Sequence, residues 1–220
     1  MKLMVILGTP KTFGITHSLA ETAMATASEC GIEGTLVKLS DLELDNCRMC
    51  DDGWGICFKD HICAFGEKDG FNQLQEKVAQ ADAYVYITPV YWGEISEGMK
   101  NFLDRLRRCQ ATKRWDTDKS AKSYLVGKPS ILVANAGGGG AGTVSALKQL
   151  ERAVEQMLGD EQPRERVGIF DYISVNRWNQ EYKREALKQA IKEMVSYYKD
   201  KEKKPPEQII NSKWSDIPSP

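Results

Sequence analysis

The sequence predicts a three-layer α/β sandwich, doubly wound around a parallel sheet of about five strands, on three observations. Short apolar runs bounded by turn residues recur along the chain, at the length expected of strands covered on both faces. Between them lie longer segments with apolar residues at three- and four-residue spacing, the signature of helices that bury one stripe. The two patterns alternate five times, which is the rhythm of βαβ crossovers rather than of hairpins.

Taken in order, the strands fall at residues 3–7, 35–39, 83–87 and 131–134, with a weaker fifth at 166–175. The helices fall at 16–30, 71–80, 96–109, 143–158 and 181–198. Ligands of such sheets bind beyond the carboxyl ends of the strands, where the strand order reverses. Two stretches break the rhythm. Residues 41–70 replace a short connection with a long one that holds four of the six cysteines, and loops of that length are usually functional or mobile. Residues 110–128 are polar and carry Lys113, Arg114 and Trp115, a pattern that suits a lid, a subunit contact or a plain excursion. The organisation expected is one domain over 1–200 with a cysteine-bearing insertion at 41–70, then an extended tail over 201–220 marked by Pro205 and Pro206.

Composition narrows the function. The chain has 220 residues, 41% hydrophobic and 28% charged, enough for a sizeable core and a hydrated surface. Lys and Arg number 30 against 31 Asp and Glu, a net charge of −1, so no overall field recruits nucleic acid or an anionic membrane. No apolar run reaches the roughly 20 residues of a membrane span. The opening Met1 to Gly8 reads as a buried strand, not a secretory leader, and the six cysteines are expected as reduced thiols of a cytoplasmic protein.

Three strand-end loops carry the chemistry. Gly8-Thr9-Pro10-Lys11-Thr12-Phe13-Gly14-Ile15-Thr16 joins the first strand to the first helix and offers backbone N–H groups, hydroxyls, a lysine and a helix N-terminus to an anion. It lacks both Gly-Lys-Ser/Thr and Gly-x-Gly-x-x-Gly, so a single terminal phosphate suits it better than a triphosphate or a dinucleotide. An ordinary turn with Thr16 as N-cap is the plain alternative. After the third strand, Pro89-Val90-Tyr91-Trp92-Gly93 places flat side chains beside a glycine, which suits a planar ring; a hydrophobic plug is the alternative, and Ser96 is a natural helix cap. After the fourth, Gly137-Gly138-Gly139-Gly140-Ala141-Gly142 follows Asn135 and Ala136, and so much backbone freedom between core elements suits a loop pressed against a ligand.

These loops, with Met99-Lys100-Asn101-Phe102-Leu103-Asp104-Arg105, resemble the flavodoxin-like NADPH-dependent FMN reductase family, including its iron-sulfur flavoprotein branch, over about residues 1–175. The family's Ser-Pro-Arg and Gly-Asn-Thr stand here as Thr9-Pro10-Lys11 and Gly14-Ile15-Thr16. The resemblance implies that Thr9, Lys11, Gly14 and Thr16 hold the phosphate of FMN, that Pro89, Val90, Tyr91, Trp92 and Gly93 border the isoalloxazine, and that Gly137, Gly138, Gly139 and Gly140 close its far side. It also implies NAD(P)H as the electron donor, a small-molecule acceptor, and a homodimer or homotetramer. The cofactor carries such chemistry, so no catalytic side chain is assigned.

Cys47, Cys50, Cys57 and Cys63 follow a C-x2-C-x6-C-x5-C pattern. Thiolates at this spacing suit an iron-sulfur cluster or zinc, with His61 as a substitute ligand, and equally suit a set of reduced thiols. The family resemblance implies the cluster, although its own spacing is more compact. Cys30 and Cys109 read as buried helix residues, and His17 as either a phosphate partner or a solvent-facing residue. Three rivals stand beside the reductase reading. A flavodoxin-type electron carrier is usually strongly acidic, unlike this chain. A phosphoryl-accepting receiver domain needs acidic residues where Gly8-Thr9 and Thr88-Pro89 stand. A redox or metal sensor would be built on the cysteine loop.

Overall fold

The computed structural model describes residues 1–118, 120–158 and 168–203, the last three by backbone only. In chain order the elements are β1 (Lys2–Leu7), α1 (Ile15–Glu29), β2 (Glu33–Lys38), α2 (Ile56–Lys59), α3 (Phe71–Gln80), β3 (Ala83–Tyr91), β4 (Glu94–Ile95), α4 (Glu97–Ala111), β5 (Ser130–Asn135), α5 (Thr143–Leu158), β6 (Ile169–Val175) and α6 (Gln180–Lys203). Short 3₁₀ turns lie at Leu39–Asp41, Asp51–Gly53 and Thr112–Trp115.

Five parallel strands form the sheet in the order β2-β1-β3-β5-β6, as the alternation of patterns predicts. The chain moves outward from β1 to β2 and then back across to β3, so the order reverses between β1 and β3. The two faces are separately filled. Met4, Ile6, Tyr84, Tyr86 and Leu132 face α3, α4 and α5, whereas Leu3, Val5, Val85, Ile87 and Val133 face α1 and α6. This is period-two alternation with both sets apolar, which is why the strands read as unbroken hydrophobic runs. Tyr84 places its phenol within this core by donating to the Val78 carbonyl at 2.8 Å, and burial raises its pKa.

Several boundaries differ from the sequence expectation. The third strand runs to Tyr91 rather than to residue 87 and folds back as β4, a sixth, antiparallel strand of two residues. β2 spans Glu33–Lys38 rather than 35–39, and as an edge strand it pairs on one side only, with β1. β6 is described from Ile169; residues 166 and 167 lie outside the described residues. α6 continues through Lys203, so the first three residues of the expected tail are helical, and residues 204–220 lie outside the described residues. The 41–70 excursion contains one helical turn, α2, and one 3₁₀ turn, Asp51–Gly53. No helix among the described residues is long and apolar enough to cross a membrane.

Candidate functional site

The three predicted loops stand together at the carboxyl end of the sheet. Gly8 follows β1, and its N–H donates to the Ile87 carbonyl at 2.8 Å, tying the first loop to β3 at the reversal of strand order. A Cβ at Gly8 would lie 2.8 Å from Ser96 Oγ and 3.1 Å from Met99 Cβ, so the loop packs directly on the start of α4. Thr9 is buried and its hydroxyl accepts the Lys11 N–H at 3.2 Å, while the Lys11 side chain is exposed.

The helices that open beside this loop differ in one respect. α4 is capped as expected: Ser96 Oγ accepts the Met99 N–H at 3.3 Å. α1 begins one residue before Thr16 and has Gly14 as its N-cap, with no side-chain cap. Thr16 therefore sits inside the first turn rather than capping it, where it accepts from Asn135 Nδ2 at 2.9 Å. The N–H groups of that first turn are left outside the ladder and uncapped, with the positive end of the helix dipole behind them. His17 makes a 3.5 Å contact with Glu21 on the flank of α1.

The aromatic segment is a hairpin turn, not a plug. Val90 pairs with Ile95 and Tyr91 with Glu94, leaving Trp92 and Gly93 as the two turn residues, both with positive φ (54° and 84°). That is the geometry of a type I′ turn, in which a non-glycine residue such as Trp92 carries strain of order 1 kcal/mol. Pro89 is buried and Val90 half-buried, but Tyr91 is 45% exposed and Trp92 wholly so.

The glycine loop is wedged between this turn and the one after β6. Gly142 has φ +85°, and a Cβ there would fall 2.6 Å from Gly93 Cα, so the two loops touch backbone to backbone. Ser145 Oγ, 2.6 Å from the Gly93 carbonyl and 2.9 Å from that of Gly142, links them. On the other side, Asn176 Nδ2 donates to the Gly139 carbonyl at 3.3 Å and Asn176 crowds Gly140. By contrast, nothing lies within 4 Å of where a Cβ would sit on Gly14, Gly137, Gly138 or Gly139. A buried polar atom points to the same place: Asn135 Oδ1 has no hydrogen-bond partner. These open backbone positions and that orphaned acceptor fit a flat, phosphorylated, hydroxyl-bearing cofactor.

The cysteine excursion forms a second cluster. Cys47, Cys50, Cys57 and Cys63 line one cavity with the buried Cys109 and with Arg105. Arg105 is the anchor. Its guanidinium pairs with both oxygens of Asp69, donates to the Asp45 carbonyl at 3.2 Å and to Cys63 Sγ at 3.2 Å, and lies over the Phe71 ring. Burial opposes the charge on Asp69, but the Arg105 and backbone hydrogen bonds outweigh it and hold the carboxyl below its ordinary value. Burial also pushes the Cys57 thiol up, against the pull of Arg108. Among the described residues, no group of three Cys, His, Asp or Glu is placed to hold a metal ion, so the four thiols as arranged do not form a ligand set. His61 is engaged elsewhere: Nε2 meets Asp116 at 2.7 Å and Nδ1 meets Thr112 Oγ1 at 3.3 Å, linking the excursion to the segment after α4. Cys109 is fully buried, as expected of a helix-face thiol, while Cys30 is half-buried at the end of α1.

Sequence reasoning did not single out Asn135, Ser145 or Asn176, and it gave Arg105 no role. Asn135 stands at the last residue of a strand, directly before the glycine loop, and that position is the one signal that pointed to it.

A sheet ordered 2-1-3-5-6 with its loops gathered at the β1/β3 reversal defines a flavodoxin-like, doubly wound protein. The sequence profile of NADPH-dependent FMN reductases matches residues 1–159, and the chain belongs to that family. An iron-sulfur flavoprotein of Archaeoglobus fulgidus is 35% identical over 107 residues, which are 49% of this chain and 49% of that protein. One of Methanocaldococcus jannaschii is 32% identical over 107 residues, 49% of this chain and 52% of the other. The chain thus spans about half the length of these curated relatives. Among solved structures, an FMN-dependent NADH-azoreductase from Bacillus anthracis in complex with FMN matches with a TM-score of 0.63 at 10% identity, covering 88% of this chain and 99% of that one. An NAD(P)H:quinone oxidoreductase from Methanothermobacter marburgensis matches with a TM-score of 0.60 at 14% identity, covering 87% and 95%. Likeness at such identities shows the fold.

Proposed function

We propose that the protein is an FMN-dependent oxidoreductase that takes electrons from NADH or NADPH and passes them to a quinone, a flavin or another small acceptor. One observation carries this reading: an uncapped helix N-terminus, an aromatic hairpin and an open glycine edge meet at the β1/β3 reversal. Family membership and the names of the relatives support it.

When bound, FMN would supply the hydride- and electron-transfer chemistry of such a reaction. The chain's own residues bind and orient it. Thr9, Lys11, Gly14 and Thr16 hold the phosphate: the uncapped first turn of α1 offers backbone N–H groups, that of Thr16 among them, and Lys11 brings a full charge. Pro89, Val90, Tyr91, Trp92 and Gly93 border the ring on a rigid strand end. Gly137, Gly138, Gly139 and Gly140 close the far side, and at the first three of them no side chain stands against the main chain. Residues 1–200 act as the flavin-binding unit, with 41–70 as its cysteine-bearing excursion. The reading includes a homodimer or homotetramer, which the exposure of Phe13, Trp92, Trp178 and Tyr182 at this end of the sheet supports, in a reducing cytoplasm where all six thiols stay free.

Titration of the protein with FMN is expected to quench flavin fluorescence with a dissociation constant in the micromolar range or below. NADH or NADPH is then expected to bleach the bound flavin anaerobically in stopped flow. Absence of quenching overturns the assignment of all three loops. Binding without hydride transfer, together with ready one-electron reduction, favours an electron carrier instead. The convergence of Cys47, Cys50, Cys57 and Cys63 on one cavity and the name of the relatives support a second reading, in which the excursion carries an iron-sulfur cluster. The thiols as placed do not form its ligand set, so no step is assigned to it; iron and sulfide analysis of anaerobically prepared protein tests it.

A further inference from the structure

We infer that Asn135 and Thr16 form a polar clasp that reads the polyol chain of the bound flavin, making Asn135 a specificity residue of the site. The inference rests on the FMN reading and adds the part of the ligand that the three loops leave unassigned. A flavin mononucleotide has a phosphate at one end, a ring at the other and a hydroxylated chain between. The phosphate loop ends at the first turn of α1, where Thr16 stands, and the ring-bordering elements are Pro89–Gly93 and Gly137–Gly140. Asn135 lies between them: it is the last residue of β5, in register with Pro89 on one neighbouring strand and Val175 on the other, and it directly precedes the glycine loop. A chain joining the two ends of the ligand passes this point.

The chemistry of the pair suits a hydroxyl and not a phosphate. Asn135 Nδ2 donates to Thr16 Oγ1 at 2.9 Å, bridging 119 residues of sequence. Oδ1 of the same carboxamide is buried with no protein partner, an arrangement that disfavours folding unless something donates to it. A phosphate oxygen accepts only, so it leaves Oδ1 unsatisfied. A polyol hydroxyl satisfies it by donating, and a second hydroxyl oxygen can accept the proton that Thr16 has left over. Because Gly137 to Gly139 present no side chain, nothing in the loop fills this space in place of the ligand.

The test compares three flavins, namely FMN, riboflavin, which has the polyol but no phosphate, and lumiflavin, which has the ring alone. Dissociation constants are measured by fluorescence quenching on the intact chain and on Asn135→Leu, a change of similar size. The substitution is expected to weaken FMN and riboflavin alike, about tenfold, the scale of one lost hydrogen bond at a buried pair, and to leave lumiflavin unchanged. Lys11→Ala serves as the contrast and should weaken FMN only. Equal loss for all three flavins would make Asn135 a structural prop and overturn the inference, as would loss confined to FMN, which would assign it to the phosphate. If Asn135→Leu does not fold, Thr16→Val carries the same comparison, and Thr16→Ser must restore both polyol-bearing ligands. Failure of the unsubstituted protein to bind any of the three overturns the FMN reading itself, an outcome distinct from the others.

Discussion

The strand-end loops and the cysteine excursion both interrupt the regular α/β alternation, yet they are held by different forces. The strand-end loops are fixed by backbone and neutral hydrogen bonds: Gly8 to the Ile87 carbonyl, Gly142 against Gly93, Ser145 to two carbonyls and Asn176 to Gly139. The excursion has neutral bonds too, from Asn72 to Cys63 and from Gln75 to the His61 carbonyl, but it adds charge, through one buried guanidinium that reaches Asp69, Asp45 and Cys63 and through the His61–Asp116 contact at its far end. A neutral backbone frame leaves room for a ligand and does not change with pH. An ionic anchor is strong only while both partners are charged and dry.

The largest expected effect comes from removing that anchor. Arg105→Ala leaves the Asp69 carboxylate without its partner inside the protein, and about 3 kcal/mol of stability should be lost. Chemical denaturation measures this, and FMN affinity measured on the folded fraction should change little. A large loss of FMN binding would show that the two regions are coupled and break the comparison.

Gly142→Ala attacks the other region. A methyl group at φ +85° placed 2.6 Å from Gly93 Cα forces the glycine loop and the hairpin apart, at a cost of about 2 kcal/mol. Here FMN affinity should fall along with stability, whereas the rate of thiol labelling in the cysteine excursion should stay as it was. Unchanged FMN binding would detach the Gly93–Gly142 contact from the site.

The smallest effect is acid sensitivity. Asp69 is held below its ordinary pKa of 3.8, so the unfolded chain takes up the proton first as pH falls. The stabilisation from the pair is therefore complete above about pH 4 and is lost as pH drops through the lower folded value. Melting temperatures from pH 6 to pH 3 should fall less steeply for Asp69→Asn than for the unsubstituted protein. Parallel curves would mean that Asp69 does not carry the acid response.

The sequence by itself determined the layered sheet and its order of elements, because two-sided burial writes unbroken apolar runs and helical stripes into the chain. It also determined the chemistry of the strand-end loops, since glycine, hydroxyl and aromatic content there are local properties. Even the cap at Ser96 was legible from three neighbouring residues. Tertiary structure alone decided which partners meet. Thr16, read as a phosphate residue with a helix cap as the alternative, pairs through its hydroxyl with Asn135, 119 residues away, because β5 ends beside the first turn of α1. For Tyr91 and Trp92 a buried plug was the alternative to a ring border, but the β3–β4 hairpin turned them outward. Arg105 looked like part of a motif and proved to be the anchor of the cysteine excursion, since the length of its side chain and its place on α4 put it across from Asp69 and Cys63. Local composition specifies what a segment can bind or cap, whereas pairings between distant segments depend on where the sheet order brings their ends.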